Sequence, residues 1–133
     1  MNAASGGSRD ERGAAVVELA LILPILVMFV FGIVQFGNGY NARVELTAAV
    51  REGARAAALG GTTVTAADID QKTKAAAPGL TGSLITVTSA RCVGTPVPVN
   101  STVTATYLFQ YSIPFVGSRT ATLTATGVMR CGG

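Results

Sequence analysis

A sequence of 133 residues with no histidine lacks both the commonest general base and the commonest metal ligand. Any chemistry must come from carboxylates, hydroxyls or thiols. The serines have no imidazole to activate them. Glu45, Glu52, Asp68 and Asp70 have the ordinary spacing of solvated acids on polar helix faces. No P-loop is present, and no G-x-G-x-x-G turn follows a strand. Two cysteines without histidine are too few ligands for zinc. Lys and Arg total 10 against 7 acids, and they are spread along the chain without interleaved aromatics. That pattern carries no nucleic-acid footprint. The composition therefore argues against an enzyme, a metal or cofactor site (none is expected) and a nucleic-acid partner.

Glu18 is the exception. It is the only charge in the run from Ala14 to Val34. A carboxylate in hydrocarbon costs several kcal/mol and marks function unless its position relieves it. Glu18 lies one turn into the run, so headgroup level is the inexpensive alternative. The functional reading needs a positive partner. If the chain were cut after Gly13, a new amine would appear at Ala14. That amine would share a helix face with Glu18 at i,i+4 spacing, or meet Glu18 of a neighbouring subunit.

The element that holds Glu18 reads directly from length and composition. Ala14–Val34 is 21 residues, about 31 Å of helix, which is the thickness of a bilayer's hydrocarbon core. It is apolar on every face, so a surface helix is excluded. A buried core helix would need a much larger protein around it. The residues after the run offer no convincing A-x-A site, as a cleaved secretory signal would. Pro24 removes one backbone hydrogen bond and should kink or locally open the helix. Residues 1–12 form a polar, Gly/Ser-bearing leader with no fixed structure expected. Lys and Arg flank the span almost evenly, so charge alone does not orient it.

Helical periodicity continues to Leu59, with Tyr40, Val44, Thr47, Val50, Ala54 and Ala57 as the expected inward stripe. Gly60-Gly61 is the stop. Thr65-Ala-Ala-Asp68 opens a short helix to about Ala77, with Ile69, Thr73, Ala76 and Ala77 inward. Three alternating segments follow: Leu84–Arg91, Ser101–Ile113 and Arg119–Arg130. Gly94–Pro98 is a breaker loop, and Pro114 and Gly117 mark a turn. The expected fold class is α+β. A long N-terminal helix, membrane-spanning to about residue 34, is followed by a short helix and a small, mostly antiparallel three-stranded sheet. The corresponding organisation is leader 1–13, helix 14–60 and domain 61–133.

Cys92 and Cys131 follow the first and last strands. An even pair in an exported chain reads first as a disulfide, with two free thiols as the alternative. In a meander the two strand ends are about 9.6 Å apart, two strand spacings. A bridge therefore needs curling chain ends, or direct pairing of the outer strands. A disulfide would favour the C-terminal domain lying outside the cytoplasm.

Arg12-Gly13-Ala-Ala-Val-Val-Glu18-Leu-Ala-Leu-Ile-Leu-Pro24 resembles a type IV prepilin cleavage and assembly motif. With Gly37, Tyr40 and Arg51-Glu52-Gly53-Ala54-Arg55, it resembles TadE-like minor pilins of the tight-adherence (Flp) pilus system over about residues 11–60. The resemblance implies cutting between Gly13 and Ala14 by a prepilin peptidase on the cytoplasmic side. It implies subunit recruitment through Glu18 and a bend at Pro24. It further implies a single-pass precursor in the bacterial cytoplasmic membrane with its domain outside. That precursor would be assembled through a membrane platform with other pilin subunits into a surface pilus used in adhesion or secretion. Leu19 departs mildly from the pattern, in which an aromatic often follows the acid. An uncleaved single-pass membrane protein with an external binding domain is the competing reading.

Overall fold

The computed structural model describes residues 7–94, 98–114 and 116–132, with side chains from Gly13 onward. Helix α1 runs from Gly7 to Leu59, 53 residues. It begins inside the leader, where no fixed structure was expected. Once a helix is nucleated, each added residue gains a hydrogen bond at little cost, so the strongly helical run propagates backwards. Residues 1–6 lie outside the description. The helix passes through Pro24 without interruption. Proline thus removes one backbone donor but does not divide the element.

The stop at Gly60-Gly61 is as expected. Gly61 adopts φ +49°, a left-handed conformation that glycine reaches without strain. Helix α2, Ala66–Ala75, starts with a complete capping box. The Asp68 amide donates to the Thr65 hydroxyl, and the Thr65 amide donates to the Asp68 carboxylate at 2.8 Å. Ile69, Thr73 and Ala77 are buried, and Ala76 is half-buried. Thr73 satisfies its buried hydroxyl by donating to the Ile69 carbonyl one turn back, at 2.7 Å.

Strands β1 (Ile85–Ala90), β2 (Asn100–Ile113) and β3 (Gly117–Arg130) form one antiparallel meander with order β1-β2-β3. The register puts Val87 opposite Ala105, Ala105 opposite Ala125, and Val103 opposite Gly127. One face is therefore small and apolar and packs on the helices. The other face carries threonines, with Thr86 opposite Thr106 and Thr106 opposite Thr124. β3 starts two residues earlier than its alternation suggested, because Gly117 takes φ +99° and closes the hairpin directly onto Ile113. Most of the expected breaker loop, Thr95 to Val97, lies outside the described residues.

The core is centred on Leu46, Ala49, Val50, Ala54 and Ala57 of α1, with Ile69, Ile85, Val103 and Ala105. This corrects the expected stripe. Tyr40 and Val44 are 65% and 51% exposed, and Ala42, Leu46, Ala49 and Gly53 are buried in their place. Close approach explains the shift. A Cβ on Gly127 would collide with the backbone of α1 at Val50, and one on Gly53 would collide with the Thr73 hydroxyl. The sheet and α2 can approach α1 this closely only along its alanine–glycine side.

Candidate functional site

Gly13, Ala14, Glu18 and Pro24 all lie on the first half of α1, and all four are exposed. Every described residue from Gly13 to Val34 is exposed, including Leu21 at 70%, Phe29 at 69% and Ile33 at 71%. The chain's own contact with this half is confined to its end, where Met28, Phe31 and Gly32 border the β2–β3 hairpin. The segment is long and apolar enough to cross a membrane, and none of it is buried inside the protein. The segment is therefore not a core helix of the chain's own domain. Glu18 stands one helical turn beyond Ala14 on this bare surface, and neither of the two ion pairs among the described residues involves it.

The second half of α1 is held firmly by its own domain. Ser101 is fully buried, and its hydroxyl lies 3.0 Å from the Ala54 carbonyl and 3.2 Å from that of Met129, joining helix, β2 and β3. Glu45 was expected to be simply solvated. Instead its carboxylate accepts from the Gly79 amide in the turn after α2, and a short backbone-facing bond of this kind is charge-assisted. Arg91 donates to the Val64 carbonyl at 2.6 Å and closes the loop after α1 onto the end of β1. These ties were missed because nothing in the local sequence around Ser101, Glu45 or Arg91 announces a distant carbonyl or amide. Asp68, which the sequence placed in the cap of α2 as well as among the solvated acids, belongs to that cap. Hydrogen bonds from the Thr65 hydroxyl, then from the Thr65 amide, hold its carboxyl below the usual carboxylate range. Asp70 pairs with Lys74 at 2.9 Å across one turn.

Cys92 and Cys131 form a disulfide with Cα atoms 5.6 Å apart. β1 and β3 remain on opposite edges, so the bridge closes through curled chain ends and not through pairing of the outer strands. The Cys131 amide donates to the Val99 carbonyl at 2.9 Å, which pulls the end of β3 across the start of β2. The bridge sits by Ala58, Leu59 and Gly61, at the end of the domain where α1 finishes.

The opposite end of the domain reaches back along α1. The Gln35 side-chain amide donates to the Ser112 carbonyl at 3.2 Å. Beside this contact a cleft of about 570 Å³ opens between the helix and the β2–β3 hairpin. Its walls include Met28, Phe31, Gly32 and Phe36 from α1, and Phe109, Tyr111 and Ile113 from the hairpin. The sequence reading found both elements but not their juxtaposition. Among the described residues no cluster of His, Cys, Asp or Glu is arranged to hold a metal ion.

Residues 13–55 match the family model described as TadE-like protein. The matched stretch starts at Gly13, contains Glu18 and Pro24, and ends in the segment Arg51–Arg55. It is about a third of the chain and stops short of α2 and the sheet. The match is consistent with a TadE-like protein of the tight-adherence pilus system, as the motif resemblance implied. No curated protein and no solved structure matches the chain.

Proposed function

We propose that this chain is a structural, non-catalytic minor pilin-like subunit. In this reading it is anchored as a precursor in the cytoplasmic membrane, with residues 61–133 outside. A prepilin peptidase cuts it between Gly13 and Ala14. The assembly platform then extracts it and packs it among other pilin subunits through α1. The observation that carries this reading is the division of one helix. Its second half is fixed by its own domain, while every residue of Ala14–Val34 stays exposed, open to a bilayer or to neighbouring helices. The TadE-like match over 13–55 supports the same reading.

Glu18 has a specific part in it. In the membrane it lies near headgroup level at modest cost. In a bundle, an amine at Ala14 of the same or an adjacent subunit would compensate it, and that pairing would set the register of packing. Pro24 gives the helix one missing hydrogen bond at which it can bend as its surroundings change from lipid to protein.

The test has two parts. Mass spectrometry of protein from cells carrying the peptidase should find a mature chain beginning at Ala14. An intact leader there would instead favour an uncleaved membrane protein. The Glu18→Ala variant should be cut normally yet fail to enter pili, with surface assembly falling at least tenfold, or about 1.4 kcal/mol. Normal incorporation of this variant would remove Glu18 from assembly.

A further inference from the structure

We propose that the tip of the β2–β3 hairpin is a second membrane contact, seated in the outer interfacial layer of the bilayer against anionic lipid headgroups. The inference rests on reading Ala14–Val34 as the membrane anchor, and it concerns a part of the chain that reading does not address.

The geometry begins with the bond from Gln35 to the Ser112 carbonyl. It pins the hairpin beside the first residue after the span. Beyond Ser112 the chain continues towards the N-terminal end of α1. Ile113 and Pro114 share one cleft with Phe31 and Met28. Those two residues lie four and seven positions before Gln35, about 6 and 10 Å along the helix axis. Phe109 lies against Gly39 and Ser112 against Gln35, so β2 descends along α1 and the tip beyond Ser112 lies beside the last turns of the span. Any placement of α1 that puts Met28–Val34 in the bilayer brings Ile113 and Pro114 to the depth of its last turns, at the edge of the interfacial layer. Raising the domain until the tip is in water would instead expose Phe29, Phe31 and Ile33, which are 69%, 45% and 71% exposed in the isolated chain.

The chemistry of the tip fits that depth. Ile113, Pro114 and Val116 are apolar, and Val116 is 55% exposed with no partner that explains it. Going away from the membrane centre, the next features are aromatic and then cationic. Tyr40 is 65% exposed and Tyr111 half-buried, the residue type that favours the headgroup region. Arg119 pairs in register with Tyr111, two positions above the turn, and Arg43 lines the same cleft. From Leu80 to Gly133 the sequence contains three arginines and no acidic side chain, so the hairpin itself brings no Asp or Glu against anionic lipid.

The chain has no tryptophan, so single tryptophans can report depth. The full chain is reconstituted in vesicles of phosphatidylcholine and phosphatidylglycerol whose acyl chains carry bromine close to the glycerol. Val116→Trp should show blue-shifted emission and several-fold stronger bromine quenching than Thr124→Trp, which lies on the exposed sheet face far above the tip. Val30→Trp, inside the span, serves as the anchor control. If Val30→Trp is quenched and Val116→Trp behaves like Thr124→Trp, the tip is not in the membrane and the proposal fails while the anchor stands. If Val30→Trp is itself unquenched, the anchor reading falls and takes the proposal with it. A blue shift at Val116→Trp without quenching, fading as protein is diluted into excess lipid, would assign the tip to a second copy of the chain and overturn the proposal. Tryptophan itself favours interfaces, so a second variant is needed. Adding Arg119→Glu to Val116→Trp should reduce the quenching in these vesicles, and unchanged quenching would remove the headgroup contact.

Discussion

The two halves of α1 invert the usual relation between size and burial. The first half carries the large side chains (leucine, isoleucine, phenylalanine and methionine), and all of them are exposed. The second half buries alanines and a glycine, with Leu46 and Val50 the only large side chains fully inside. In water the hydrophobic effect would favour the reverse. The inversion fits two halves that meet different surroundings. The second half is a docking strip for its own sheet, where small side chains allow close backbone approach. The first half is shaped for a partner the chain does not contain. Burial within the chain thus marks where the domain ends, and the uncovered remainder marks where its surroundings begin.

The largest expected effect tests whether the domain can be dismantled without disturbing the other half. The disulfide spans a sequence separation of 39. By the chain-entropy argument a loop of that size contributes about 4 kcal/mol, a large share of the stability of a small domain. Replacing Cys92 and Cys131 by serine should unfold the sheet and α2 at a much lower denaturant concentration. The helical circular-dichroism signal of the anchor half in detergent should persist. Simultaneous loss of both signals would show that the halves fold as one unit.

The next effect puts the same chemical change in both halves. Leu46 is fully buried in the core, and Leu23 is 53% exposed on the bare half. Leu46→Ala should cost about 3 kcal/mol of domain stability through lost transfer energy and a residual cavity. Leu23→Ala should leave the domain's unfolding midpoint within about 0.5 kcal/mol, as surface changes do. Equal losses from the two would erase the distinction drawn here.

How far this division could be read from sequence depends on the range of the forces involved. The span, the stop at Gly60-Gly61, the Thr65–Asp68 cap and the alternating strands rest on local rules, and each appears where its residues suggested. The inward stripe of the second half holds at Val50, Ala54 and Ala57 and fails towards the span, where Tyr40 and Val44 are exposed and Ala42 and Leu46 are buried. Periodicity ranked Tyr40 and Val44 by hydrophobicity, whereas close approach at Gly53 and Gly127 selected the small face. Gly127 lies 74 residues from Gly53, and no local pattern couples them. The disulfide needed the actual course of the curled chain ends to choose among its geometries. The hairpin's descent beside Met28 and Phe31 was invisible for the same reason, since it depends on how far β2 and β3 extend past the helix junction. Gly13, Ala14 and Glu18 were legible as a motif because their proposed roles concern partners outside the chain, which act on the bare sequence and not on the fold.

The smallest effect sits at the α2 cap, on the domain side of the divide, and it has a defined pH dependence. Thr65 and Asp68 satisfy each other's backbone amides, and loss of an N-cap side chain typically costs about 1 kcal/mol, so Thr65→Ala should shift the unfolding midpoint slightly. Asp68 adds a charge that the cap holds ionised. Its carboxyl titrates below its ordinary value of 3.8 in the folded domain because Thr65 donates to it from both hydroxyl and amide. A group whose folded pKa is depressed stabilises the fold fully above its unfolded pKa. That contribution is lost as pH falls from about 4 through the lower folded value. The difference in urea midpoint between the native chain and Asp68→Asn should therefore be constant from neutral pH down to about 5 and shrink below 4. A difference that stays the same at pH 3 would mean that the carboxylate's charge contributes nothing to the cap.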